Sequence, residues 1–217
     1  MKKVFIGIAA AASMLTTLPA SADLSVSGNL GVMSDYFYRG IFQSDSVANG
    51  GLDLEYGGFS LGTWAADVDD GLEVDVYGGY GHEFEGGFSA SIGFTGYYYT
   101  GEFDDTYQEL NFGVGWNFLS VDYAVGEYDN FDGPTQDYDF LSVSAEYNGL
   151  YALFGSFGDD FSGDYWEFGY GMDVAGFDVT GSIIINDKEL SGTVDSSGLP
   201  DSDESFVLSI SKSIDIM

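Results

Sequence analysis

The sequence predicts an all-β protein: an antiparallel, up-and-down transmembrane β-barrel of about twelve strands. Three observations carry that reading. Apolar and polar residues alternate with a period of two through segment after segment, the mark of strands with two unlike faces. Tight turns alternate with longer acidic loops, as in outer-membrane barrels with short periplasmic turns and long outer loops. The chain opens with Met1-Lys2-Lys3, an apolar run from Val4 to Leu15 and Pro19-Ala20-Ser21-Ala22, the pattern of a secretory signal peptide cut after Ala22. Residues 1–22 are thus read as signal peptide and 23–217 as one outer-membrane barrel.

The strands follow in order. From Leu24 to Arg39, Leu24, Val26, Leu30, Val32, Tyr36 and Tyr38 share the apolar face. Ile41 to Gly50 reads as a loop. Leu52, Leu54 and Tyr56 then oppose Asp53 and Glu55, and Gly57-Gly58 turns the chain into a strand from Phe59 to Ala66. After the acidic stretch Asp67 to Gly71, the residues Leu72, Val74, Val76, Tyr80 and Phe84 oppose Glu73, Asp75 and Tyr77. Glu85-Gly86-Gly87 turns into the clearest strand, Phe88 to Tyr99. Its outer set is Phe88, Ala90, Ile92, Phe94 and Tyr98, and its other face holds Ser89, Ser91, Thr95, Tyr97 and Tyr99. The acidic loop Thr100 to Thr106 leads to Tyr107–Trp116, with Leu110, Phe112, Val114 and Trp116 on one face.

Asn117-Phe118 is the next turn, and Leu119, Val121, Tyr123 and Val125 oppose Ser120 and Asp122. Beyond the loop Tyr128 to Asp137, the side chains of Leu141, Val143 and Tyr147 oppose Ser142, Ser144 and Glu146. Asn148-Gly149 is the strongest hairpin signal in the chain. Leu150 to Phe157 is a strand of undetermined parity, followed by an acidic loop from Gly158 to Asp164. Trp166, Phe168, Tyr170, Met172 and Val174 oppose Glu167 and Asp173, and past Ala175-Gly176, Phe177, Val179, Ile183 and Ile185 oppose Asp178, Thr180 and Ser182. The longest loop runs from Asp187 to Ser205. The last strand carries Phe206, Leu208, Ile210, Ile214 and Ile216.

Composition narrows the function. There is no cysteine, so no disulfide or thiolate metal site braces an exported chain. Without Lys2 and Lys3 the formal charge moves from −31 by two units to −33, and Arg39, Lys188 and Lys212 are the remaining basic residues. Such a chain repels nucleic acid. Strong acidity often marks disorder; 17% aromatic residues at alternate positions and 32 glycines argue for a wall of strands instead. Alternation is equally compatible with a soluble β-sandwich or barrel whose apolar face points inward. The signal peptide, aromatic residues near strand ends and the short-long rhythm of connections favour the membrane.

The segment Tyr36-Phe-Tyr-Arg-Gly-Ile-Phe-Gln-Ser-Asp45, with Gly50-Gly-Leu-Asp-Leu-Glu-Tyr56 and Gly58-Phe-Ser-Leu-Gly-Thr-Trp64, resembles the TorF-type porins of proteobacteria. The match is specific over these roughly thirty residues and elsewhere rests on barrel pattern and length. The resemblance implies an outer-membrane barrel with a transport role. The implied partners are outer-membrane lipid, small solutes and, during biogenesis, the barrel-assembly machinery. It supplies no catalytic residues. The chain departs from such barrels at its end, Ser213-Ile-Asp-Ile-Met217, where Ile216 is in phase with the apolar face and Met217 is not.

With the apolar face toward lipid, the lumen is expected to hold Arg39, Asp53, Glu55, Glu73, Asp75, Glu109, Asp122, Glu146, Glu167 and Asp178. Carboxylates in a narrow space favour cations, which suggests passive diffusion of small cationic or neutral solutes. The alternative is a non-conducting barrel whose acidic outer loops bind partners or divalent cations. Twelve strands lie between a packed interior and an open channel. In a packed interior Arg39 becomes the counter-ion of nearby acids such as Asp53 or Glu55. The loop acids at Asp67, Asp69, Asp70, Asp104, Asp105, Asp129, Asp132, Asp159, Asp160, Asp164, Asp201, Asp203 and Glu204 lack a complete Ca²⁺-loop spacing. No cofactor or metal is expected. The one histidine, His82, shares parity with Val76, Tyr80 and Phe84 near the periplasmic end, an interfacial position that leaves a nucleophilic triad without support.

Overall fold

Alternating residues need a surface for each face, and closing the sheet on itself supplies both while leaving no edge strand unpaired. The structure, a computed structural model, describes residues 23–217 and contains no helix among them; the signal-peptide reading of residues 1–22 lies outside the described residues. The strands are β1 (Ser25–Tyr38), β2 (Ile41–Tyr56), β3 (Phe59–Val68), β4 (Gly71–Glu83), β5 (Phe88–Tyr99), β6 (Tyr107–Trp116) and β7 (Leu119–Tyr128). They continue as β8 (Gln136–Tyr147), β9 (Leu150–Asp159), β10 (Gly163–Val174), β11 (Phe177–Asn186), β12 (Thr193–Val194), β13 (Pro200–Asp201) and β14 (Asp203–Asp215). Twelve form a closed antiparallel barrel in which each pairs with its sequence neighbour and β14 closes on β1; β12 and β13 make a separate two-stranded hairpin inside the longest loop.

The five short turns expected from sequence all sit at one end, between β2 and β3, β4 and β5, β6 and β7, β8 and β9, and β10 and β11. Asn117, Asn148 and Ala175 take left-handed backbone there. At the other end the connections lengthen, with two exceptions. Residues 39–40 join β1 to β2 in a tight turn, and residues 69–70 join β3 to β4.

The outer wall is apolar: Leu30, Leu52, Leu61, Ile92, Leu110, Phe112, Val114, Trp166, Phe168, Ile183 and Phe206 are all exposed. A water-soluble body would fold these residues inward, so the wall is the lipid-facing belt of a transmembrane barrel. Aromatic pairs strengthen it, with Phe88 stacked on Trp116 at 5.8 Å and Trp166 on Phe168 at 5.9 Å. His82 lies on this exposed side with its ring 4.6 Å from Phe84.

Two sequence expectations need correction here. Ile41 to Gly50 is the first part of β2, not a loop. Tyr36 and Tyr38 do not face lipid, being 1% and 9% exposed. The cause is an irregular ladder: β1–β2 pairing skips Ser34 and Ser46 with Ser46 at φ 57°, and the register then shifts between Tyr36 and Phe37. A slip of this kind moves side chains to the opposite face of a strand. The open parity of β9 is also settled, with Tyr151, Leu153 and Phe157 buried inside and Leu150 exposed.

Candidate functional site

The tight β1–β2 turn places the central feature. Arg39 and Gly40 both have positive φ, 48° and 84°, which folds the turn over the lumen. The Asn186 side-chain amide of β11 donates to the Gly40 carbonyl at 2.6 Å. A Cβ at position 40 would lie 2.8 Å from the Tyr165 ring, so glycine meets both the backbone angle and the space. Fixed in this way, the Arg39 side chain runs into the barrel, where it is 2% exposed.

Its guanidinium meets Glu109 of β6 across the lumen. Nη1 donates to Oε2 at 2.9 Å and Nη2 to Oε1 at 2.8 Å, the paired geometry a planar fork makes with a carboxylate. Tyr97 and Tyr138 donate their hydroxyls to the same carboxylate at 3.0 and 2.9 Å. The guanidinium also lies 4.3 Å from the Phe140 ring centre and 5.0 Å from that of Tyr38. Removing two charges from water is costly; four donors on Glu109 and two ring faces on Arg39 offset that cost.

Rings close the space around the pair. Tyr107 stacks on Tyr128 at 4.3 Å, and Phe161, from the β9–β10 loop, stacks on Tyr138 at 5.2 Å. Phe103, from the β5–β6 loop, tilts against Tyr99 at 5.8 Å. Asp104 of the same loop accepts the hydroxyls of Tyr107 and Tyr128 at 3.0 and 2.8 Å. Arg39, Tyr36, Tyr97 and Tyr165 are among the most deeply buried side chains, so this level of the lumen is largely filled by side chains.

The end nearer the short turns is more polar and more open. Asp53 accepts from Tyr77 at 2.6 Å and from Asn29 at 3.4 Å. Asn111 donates to Thr95 at 2.9 Å, and the hydroxyls of Ser120 and Ser144 are 2.6 Å apart. Of the ten residues expected in the lumen, Arg39, Glu73, Asp75, Glu109 and Glu167 are buried. Asp53, Glu55, Asp122 and Asp178 are half-buried, and Glu146 is exposed near the end of β8. Glu73 accepts from Tyr36 and Tyr99, and Glu167 from Tyr151. The counter-ion expectation is corrected: Arg39 pairs with Glu109 rather than Asp53 or Glu55, because the inward turn aims it across the barrel and not along its own hairpin.

The sequence reading missed the aromatic lining from Tyr36, Tyr38, Tyr138 and Phe140. The last two carry a readable signal, since they alternate with outward-facing Leu141 and Val143; the first two carry none, because the ladder slip is not written in local periodicity. Among the described residues no three acidic or histidine side chains are grouped to hold a metal ion.

Solved structures resemble the fold at low identity. One chain, from work on the in-meso crystallization of membrane proteins, is 6% identical with a TM-score of 0.56, over 88% of this chain and 84% of that one. At this identity the likeness concerns the fold alone. Pseudomonas aeruginosa OprD is 13% identical with a TM-score of 0.41, over 96% of this chain and 74% of its own. Acinetobacter baumannii OccAB2 is 11% identical with a TM-score of 0.43, over 80% of this chain, which spans only 56% of OccAB2. Those two scores are too low to carry anything about function. No curated protein matches the chain. A family model described as a bacterial protein of unknown function (Gcw_chp) matches residues 18–191, and the chain belongs to that family.

Proposed function

We propose that the chain is a small porin-like channel of the outer membrane, related to the TorF-type porins, passing small cationic or neutral solutes by passive diffusion. The carrying observation is the division of the wall: an apolar exterior around an interior whose open end presents Asp53, Glu55, Asp122 and Asp178. Such a lining attracts cations and disfavours anions. The signal-peptide pattern of residues 1–22 supports export to the outer membrane. Arg39, Tyr97 and Tyr138 fill part of the lumen, and passage of larger solutes requires the Arg39 turn or the rings around it to move. No reaction is assigned, since the ring of the one histidine, His82, rests on Phe84 at the outer wall. Single-channel recording of the full barrel in planar bilayers tests this reading: cation-leaning openings are expected, and silence or anion preference rejects it.

A second reading keeps the barrel shut. The deep burial of Arg39, Tyr97 and Tyr138 favours a non-conducting wall whose acidic outer loops meet partners or divalent cations at the cell surface. Liposome swelling separates the two. Solute entry that increases when the β5–β6 and β9–β10 loops are shortened belongs to the channel, and no entry with either protein belongs to the closed barrel.

A further inference from the structure

The barrel holds its buried cation with a fixed set of parts. The Glu109 carboxylate takes the hydroxyls of Tyr97 and Tyr138 and both terminal nitrogens of Arg39, whose guanidinium rests against the rings of Tyr38 and Phe140. The same parts recur around Asp104 of the β5–β6 loop. Asp104 Oδ2 accepts the Tyr107 hydroxyl at 3.0 Å, and Oδ1 accepts the Tyr128 hydroxyl and the Asp105 amide, both at 2.8 Å. Loop rings flank these tyrosines: Phe161 lies 6.1 Å from Tyr128 and 6.5 Å from Tyr107, and Phe103 lies 5.8 Å from Tyr99. The two groups are contiguous, because Tyr107 lies 6.0 Å from Tyr138 and 6.5 Å from Tyr38.

Two differences separate the groups. The chain supplies no cation to Asp104: Arg39 is held by Glu109, Lys188 stands beside Glu189 in the longest loop, and Lys212 lies over the Phe177 ring. These three are the basic residues of the described chain. The outer group is also reachable, since Asp104, Tyr99, Phe103, Tyr107 and Phe161 are half-buried where Glu109 is 4% exposed. A carboxylate oxygen can accept two hydrogen bonds, so Oδ2 of Asp104 keeps acceptor capacity beside the Tyr107 hydroxyl. A phenol that donates to a carboxylate is polarised, which makes its ring face more negative. Such faces favour a planar, weakly hydrated cation over a strongly hydrated one.

We propose that Asp104 and the rings of Tyr99, Phe103, Tyr107 and Phe161 form a binding site at the outer mouth for a small organic cation that carries a guanidinium or amidinium group and no carboxylate. Asp104 Oδ2 accepts an N–H of the ligand, and the loop rings lie against its plane, as Glu109 and Phe140 do for Arg39. A carboxylate on the ligand would meet Asp104 and Asp105 and be repelled. As a solute site it rests on the channel reading of the barrel, whereas binding itself needs no conduction.

The test is isothermal titration of the full barrel in detergent with methylguanidinium chloride, at an ionic strength held constant with NaCl. Saturable binding is expected, with none for methylurea, a neutral molecule of similar shape. Asp104→Asn should weaken binding about tenfold or more, and Phe161→Leu about threefold. Asp132→Asn, at an exposed loop acid, should leave it unchanged. No binding to the wild-type protein, equal binding of methylurea, or full affinity in Asp104→Asn overturns the site. Should Asp104→Asn fail to fold, the double variant Phe103→Leu/Phe161→Leu decides: lost affinity in the folded protein supports the site, and full affinity overturns it. Saturable binding by a barrel that stays silent in planar bilayers would keep the site and reject the channel. Conduction without saturable binding would reject the site alone.

Discussion

Arg39 and Glu109, 70 residues apart in the chain, are joined inside the barrel by two hydrogen bonds of 2.9 and 2.8 Å. One comes from the tip of an outer turn and the other from the inner face of β6. Their union ties the β1–β2 hairpin to a strand with which it shares no ladder.

Removing one partner leaves the other charged and buried. Arg39→Ala and Glu109→Gln are each expected to destabilise the barrel by about 3–5 kcal/mol. The double variant Arg39→Met/Glu109→Leu should recover much of that loss. Urea unfolding of the barrel in detergent, arranged as a double-mutant cycle, measures the coupling.

Gly40→Ala should loosen the turn, because the new methyl would lie 2.8 Å from the Tyr165 ring while the backbone keeps φ 84°. In planar bilayers the variant is expected to open more often than the wild-type protein. Unchanged opening would mean that the turn does not control the lumen.

Ion preference should follow the acids at the open end. Asp53→Asn together with Asp122→Asn is expected to lower the cation-to-anion permeability ratio, read as a smaller reversal potential across a KCl gradient. Glu127→Gln, at an exposed acid of β7 on the outer-facing parity, should leave it unchanged.

The lipid face gives a prediction about stability. Phe112 is exposed in the middle of β6, and Phe112→Arg should cost about 2–4 kcal/mol, whereas Phe112→Leu should cost much less. Folding into lipid vesicles under a urea series measures both.

Ser46 tests the irregular stretch of the β1–β2 ladder. Its φ of 57° is unfavourable for a β-branched residue. Ser46→Val is expected to lose about 1–2 kcal/mol of stability, and Ser46→Gly to be neutral or slightly stabilising. Equal behaviour of the two variants would show that the left-handed geometry is not held in solution.

Most of the wall was readable from local pattern. Leu110, Phe112 and Val114 set against Glu109 and Asn111 define a strand and its faces without reference to the rest of the molecule. The contrast fades where both faces are apolar: in β9, inward Leu153 and Phe157 flank outward Phe154, so alternation gives no parity. It also fails at Tyr36 and Tyr38, where pairing geometry and not residue type decides the face. The placement of acids on the inner parity of their strands was accessible to sequence reasoning. The partner of Arg39 was not, because a contact across the lumen depends on how many strands separate the two residues around the circle.

The link from the β1–β2 tip to β6 also has a mechanical meaning. A hollow cylinder held by neighbour-to-neighbour pairing flattens easily under uneven lateral pressure. A strut across the lumen fixes one width, so squeezing by the surrounding bilayer loads the Arg39–Glu109 contact before it bends the wall.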